Sequence, residues 1–206
     1  MVRPLHHELS VGRAKSQGFT LVEMMVVVAI VGILATLAVV GYRKLVQSSH
    51  VSEATNMVQN IRVAQEGYHS ETQQYANISA GFPSGSAPNT NGIFYPLSIP
   101  KYQVLTGWGA TCSSSVCPNG LDWSVLPVHV DGPVLFGYAT VAGGIGTTWG
   151  YGNLTVNGTS MGVTTPAVSD WYAVAAEGDL DGNTANVTDV FAFSWTNQMF
   201  VSNEGQ

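Results

Sequence analysis

The chain has 206 residues, of which 7 are Lys or Arg and 13 are Asp or Glu, so charged side chains make up 10% against 45% hydrophobic. Ordinary apolarity with so few charges excludes a chain disordered throughout. A net charge of −6 leaves no basic stripe to displace counterions from phosphates, so no nucleic-acid partner is expected. The length suits one sizeable domain plus an extension.

The charges are unevenly placed. Residues 1–18 hold Arg3, Glu8, Arg13 and Lys15, whereas residues 24–42 hold none. Those 19 residues are long enough to cross a bilayer core as a helix at about 1.5 Å per residue. A cleaved secretory signal has a shorter apolar core, about 7–15 residues, with its small-residue cleavage site beyond it. Here the small residues Ala35 to Ala38 lie inside the run. Glu23 stands at the mouth of the run, where a carboxylate costs a few kcal/mol and marks function.

The segment Gly18-Phe19-Thr20-Leu21-Val22-Glu23, with the apolar helix behind it, resembles the class III signal of type IV pilins and pseudopilins. The family pattern is a short basic leader ending in Gly, then Phe-Thr-Leu-x-Glu, then about 20 apolar residues. The resemblance implies that a membrane peptidase and N-methyltransferase cuts between Gly18 and Phe19 on the cytoplasmic side and methylates Phe19. It also implies that Glu23 pairs with the N-terminal amine of a neighbouring subunit during assembly. Opposite charges attract strongly in a low-dielectric core and each alone is costly there, so such a pair registers subunits. The partners implied are copies of the chain and other pilins, the processing enzyme, an inner-membrane assembly platform and the inner membrane. The precursor is then a single-pass inner-membrane protein, and the mature form belongs to an extracellular or periplasmic filament. Basic residues flank the span on both sides, so the resemblance, and not the charge count, orients it.

From Arg43 to about Tyr75 there is no Pro and one Gly, Gly67. Val51, Ala54, Val58, Ile61, Ala64 and Tyr68 recur at spacings of three and four, one face of an amphipathic helix. The chain therefore divides into a leader (1–18), a membrane or filament-core helix (19–42), the amphipathic half of the same helix (43–75) and a head (76–206). Gly32 and Gly41 interrupt the apolar half. The family most often has Pro where Gly41 stands, a departure that leaves a minor subunit or a pseudopilin open.

Residues 76–206 carry 18 of the 23 glycines, clustered with Ser, Thr, Asn and Pro between short apolar runs. That pattern signals strands joined by turns. Strands are expected at Leu121–Val130, Val134–Val141, Trp171–Ala176, Val187–Trp195 and Gln198–Ser202, after a loop over 76–92. Residues 143–169 read as a long Gly/Thr-rich insertion. Sequential strands with short turns imply an antiparallel meander. With the long helix packed on one face, the fold class is α+β, which is also the pilin-like arrangement.

Three smaller features bear on function. Cys112 and Cys117, the only cysteines, are expected to form a disulfide in an extracytoplasmic head; a metal site would need two more soft or imidazole ligands, and none is evident. Asp179, Asp181 and Asn183 alternate in a Gly-rich stretch and offer oxygens of the kind calcium takes, although the spacing is not an EF-hand and an acidic turn reads equally from it. His129 and Asp131 are two apart on an expected strand, but no nucleophile setting or phosphate loop accompanies them, so no enzyme is expected. His50 and His69 are expected to be solvated. The Asn-x-Ser/Thr matches beginning at Asn77, Asn153, Asn157 and Asn186 are given no glycan in a head so rich in these residues.

The expected function is a structural subunit of a type IV pilus or pilus-like filament, perhaps a minor one. The alternatives are a pseudopilin of a type II secretion system and, from a different class, a membrane-anchored binding protein that never assembles.

Overall fold

The computed structural model describes residues 18–83, 93–96, 104–109, 112–151, 154–156, 159–161, 167–182 and 187–203. The chain divides into two compact units, Met1–Tyr42 and Arg43–Gln206. One helix, α1 (Leu21–Thr72), supplies residues to both.

Within the first unit the described part is the helix start and its apolar run. It carries no Pro, and every residue from 18 to 42 is exposed. Such a helix, apolar all round, needs a surrounding of lipid or of other apolar helices.

In the second unit the helix becomes one-sided. Val51, Ala54, Met57, Val58, Ile61, Ala64 and Gln65 are buried, and Tyr68 packs half-buried against the same core. The expected face is thus the observed one, with Met57 and Gln65 added to it. The helix ends where Gln73 turns to a positive φ of 61°, and its amide still reaches the His69 carbonyl at 2.9 Å. This is a left-handed C-terminal cap made without glycine.

The sheet has four strands, β1 (Gly137–Gly143), β4 (Trp171–Gly178), β5 (Thr188–Phe193) and β6 (Thr196–Ser202), in the order β1-β4-β5-β6, all antiparallel. Between β1 and β4 the chain inserts a short hairpin, β2 (Leu154–Val156) with β3 (Thr159–Met161). The arrangement is antiparallel as expected. It departs from a simple meander because β1 pairs with β4 and not with the next strand in sequence.

All residues of β4 and β5 are buried, as strands covered on both faces must be. Tyr172, Val174, Ala176, Val190 and Ala192 join the core that includes the α1 face. Trp171, Ala173, Ala175, Phe191 and Phe193 form a second core with Phe82, Ile93, Phe94 and the β2–β3 hairpin. The outer edge of β1 is covered: Ser79 N donates to Thr140 O at 2.9 Å, and Tyr95 and Tyr138 exchange backbone bonds at 2.8 and 2.7 Å. Asn77 Oδ1 accepts from Ala142 N at 3.3 Å, so this Asn serves the edge. Covering an edge in this way blocks unintended strand pairing.

Two expectations need correction. Residues 121–130 form no strand: Trp123–Val125 make a single 3-10 turn, and the segment then runs irregularly. Trp123 is buried, with its ring stacked 5.7 Å from that of Tyr95, and Pro127 has no amide to give a ladder. Strand β1 starts at Gly137, not Val134, because Val134 is taken by an isolated bridge to Thr106. The remaining strand expectations differ from the observed bounds by one to three residues at their ends.

Candidate filament-assembly site

The N-terminus of α1 is built by two side chains. Thr20 lies just before the first helical residue and Glu23 in the first turn. Glu23 Oε2 accepts from the Thr20 amide and from the Thr20 hydroxyl, both at 2.8 Å. The Glu23 amide donates back to Thr20 Oγ1 at 3.2 Å. This is a capping box, in which two otherwise unpartnered helix-end amides are satisfied reciprocally. The carboxylate also sits at the positive end of the helix dipole. Both bonds fall on Oε2, and Glu23 Oε1 has no hydrogen bond among the described residues.

Phe19 stands immediately before the cap with its side chain 79% exposed. Gly18 precedes it, with nothing within 4 Å of where a side chain would begin. Thr20 had no role in the sequence reading. Its signal is the Thr-x-x-Glu spacing at the head of an apolar run, which was obscured by assigning Glu23 to another subunit. The leader itself lies outside the described residues apart from Gly18.

The other candidate residues lie in the second unit and do not converge. Cys112 and Cys117 are joined in a disulfide with Cα atoms 6.1 Å apart. The loop it closes is further held by Val116 and Cys117 amides donating to Ser113 O, each at 2.9 Å. Asp179 is buried and its Oδ1 accepts from Gly182 N at 2.7 Å, a turn held by its own side chain. Asp181 is exposed, and Asn183 lies outside the described residues. Among the described residues no group of three His, Cys, Asp or Glu is placed to hold a metal.

His129 and Asp131 are 3.1 Å apart on an exposed irregular segment, not a strand. His69 is not simply solvated: it stacks on Tyr75 with centroids 4.3 Å apart and lies 3.5 Å from Asp170. Asp170, just before β4, is what draws it in.

Residues 13–39 match the family model for the prokaryotic N-terminal methylation motif. The chain is 38% identical to a type IV major pilin protein of Myxococcus xanthus over 65 residues, 32% of this chain and 30% of that protein. It is 27% identical to a type IV major fimbrial protein of Dichelobacter nodosus over 130 residues, 54% of this chain and 83% of that one. With a fimbrial protein of Neisseria meningitidis the identity is 38% over 121 residues, 57% of this chain and 69% of the relative. The chain belongs to the type IV pilin family.

The chain spans less than a third of the M. xanthus pilin's length, and the same kind of match to a fimbrial protein of Eikenella corrodens spans 50% of that protein. No solved structure matches it. As a pilin, it has the family's long N-terminal apolar helix and antiparallel sheet. The methylation motif covers the capping box and most of the exposed apolar run.

Proposed function

We propose that this pilin is a structural subunit of a type IV pilus or pilus-like filament, released for assembly by cleavage between Gly18 and Phe19. The observation that carries the reading is the uniformly exposed apolar helix from Leu21 to Tyr42 with one carboxylate, Glu23, at its start. That surface requires lipid before assembly and neighbouring copies of the same helix after it. Cleavage frees the Phe19 amine, whose ordinary pKa near 8 keeps it largely charged at neutral pH. A neighbour's Phe19 amine then pairs with Glu23 through Oε1, while Oε2 stays on Thr20. In a core of low dielectric, either charge alone is expensive, so a subunit seated one turn out of place is disfavoured.

The processing enzyme, an inner-membrane platform and other pilins are the partners this route requires. The family's usual Pro is absent at Gly41, which supports a minor subunit: Gly costs about 1 kcal/mol in a helix interior and Pro about 3, so local melting of the helix in a filament is less favoured here. The test is Glu23→Val. The variant is expected to be cleaved and methylated normally but to be missing from filaments. Filaments containing it at the wild-type level would contradict the mechanism.

A further inference from the structure

On the sheet face turned away from α1, one transverse row consists of Gly137, Glu177, Asp189 and Ser202, register partners on β1, β4, β5 and β6. The next row is Ala139, Ala175, Phe191 and Phe200. Two carboxylates therefore lie side by side in an otherwise apolar layer. Both have 0% exposure. Cross-strand partners bring their Cβ atoms to about 4.5–5.5 Å, which puts the two carboxyl groups within reach of each other.

Asp189 Oδ2 accepts from Ser202 Oγ at 3.3 Å, and Asp189 Oδ1, buried, has no hydrogen-bond partner. A buried carboxylate so incompletely solvated takes up a proton in preference to staying ionised, and a second carboxylate beside it strengthens the effect. Burial, and then the charge of Glu177, push the Asp189 carboxyl up to about 8, with the Ser202 bond opposing them. From the neighbouring elements, β1 presents Gly137 and β6 presents Ser202. Asp179 beyond the end of β4 is committed to Gly182 N. The described residues of this core, among them Phe82, Ile93, Phe94, Leu154 and Met161, bring no charge. Lys101, the only basic side chain in 76–206, lies outside the described residues.

We propose that Glu177 and Asp189 hold one proton between them in the folded chain, making the β4-β5-β6 end of the sheet a clasp that acid and neutral conditions keep shut and alkaline conditions loosen. The proton sits on Asp189 and is offered to Glu177. In the unfolded chain Asp189 loses it near the ordinary carboxylate value of about 4. In the folded chain it is lost only at about 8. The stability it confers is therefore complete below the first value and gone above the second.

The experiment uses the full-length chain in detergent micelles, with unfolding followed by the fluorescence of the five tryptophans, all of them beyond residue 107. The wild-type Tm is expected to fall steadily from about pH 5 to about pH 9. Asp189→Asn, which keeps the shape without the charge, is expected to lose most of that slope and to exceed the wild type at the alkaline end. Infrared spectra of the wild type alone give a second reading, independent of whether the variant folds: a protonated-carboxyl band present at neutral pH and lost between about pH 7 and pH 9. A wild-type Tm that is flat or rises over this range would overturn the proposal, as would an unchanged slope in Asp189→Asn or the absence of the infrared band at neutral pH. So would a rescue of the alkaline Tm by calcium that chelator reverses, since the pair would then be a cation site.

Discussion

Thr20 and Glu23 satisfy each other at the start of α1, with Glu23 Oε2 held by both the amide and the hydroxyl of Thr20 and the Glu23 amide returned to Thr20 Oγ1. The carboxylate proposed to reach a neighbouring subunit is thus already fixed in direction by its own chain. Holding a charged group in place beforehand lowers the ordering cost of the contact it later makes.

This separates two roles that Glu23→Val removes together. Glu23→Gln keeps an oxygen for the Thr20 donors and loses only the charge. It is expected to be cleaved normally and to be absent from filaments, as Glu23→Val is. Thr20→Ala keeps the charge and loses the hydroxyl bonds. It is expected to reduce incorporation only partly and to speed amide exchange in the first turn of α1, with Thr20→Ser close to wild type. Quantitative blotting of sheared filaments checks both, and normal incorporation of Glu23→Gln would mean that the cap, not the charge, matters.

Gln65 is buried and binds the chain just past the helix end from both sides. Its Nε2 donates to Ala76 O at 2.8 Å and to Thr140 Oγ1 at 2.9 Å, and its Oε1 accepts from Ala76 N at 2.8 Å. Gln65→Leu leaves three buried polar atoms to find new partners. A loss of roughly 2–4 kcal/mol is expected, at about 1–3 kcal/mol for each group left unsatisfied after partial relaxation. Urea unfolding followed by tryptophan fluorescence measures it, and a loss below about 1 kcal/mol would show that the amide is dispensable.

Gly178 closes β4 against the Phe136 ring. A Cβ there would lie 2.7 Å from Phe136 Cδ1 and Cε1, and Phe136 itself is fully buried. Gly178→Ala is expected to cost about 1–3 kcal/mol through overpacking. Gly132→Ala, with nothing within 4 Å, serves as the neutral control in the same unfolding assay.

The Cys112–Cys117 disulfide closes a very short loop that backbone bonds to Ser113 O already shape. Replacing both cysteines by Ser is expected to lower stability by about 2 kcal/mol or less, on the chain-entropy estimate for a small loop. Hydrogen exchange is expected to change near residues 112–122, where Cys112 N meets Asp122 Oδ1 at 3.2 Å, and to stay unaltered in β4 and β5. Loss of the whole fold would assign the bridge a larger role.

The helix was legible because its cues are local and periodic. Val51, Ala54, Val58, Ile61 and Ala64 announce a buried face by spacing alone, and the Gly18-to-Glu23 motif is contiguous. Strands β4, β5 and β6 were legible as apolar runs between turns. The errors fell where a distant partner decides. Apolar Leu121 to Val130 looks like a strand, yet Trp123 is wanted in the core beside Tyr95 and Pro127 cannot pair. The β2–β3 hairpin was lost in a Gly/Thr-rich stretch because three-residue strands have too little periodicity to register. Thr20 was missed as a cap because its partner had been given to another molecule. The pairing of Glu177 with Asp189 depends on strand register over a gap of twelve residues, which composition does not encode.

The most direct test is mass spectrometry of filaments sheared from cells that produce the chain. The expected result is a terminal peptide beginning at N-methylated Phe19, recovered from the filament fraction and lost from it in Glu23→Gln. Recovery of the chain only in the membrane fraction, with the residues before Phe19 still attached, would contradict a role as a processed filament subunit and leave it a membrane-anchored protein.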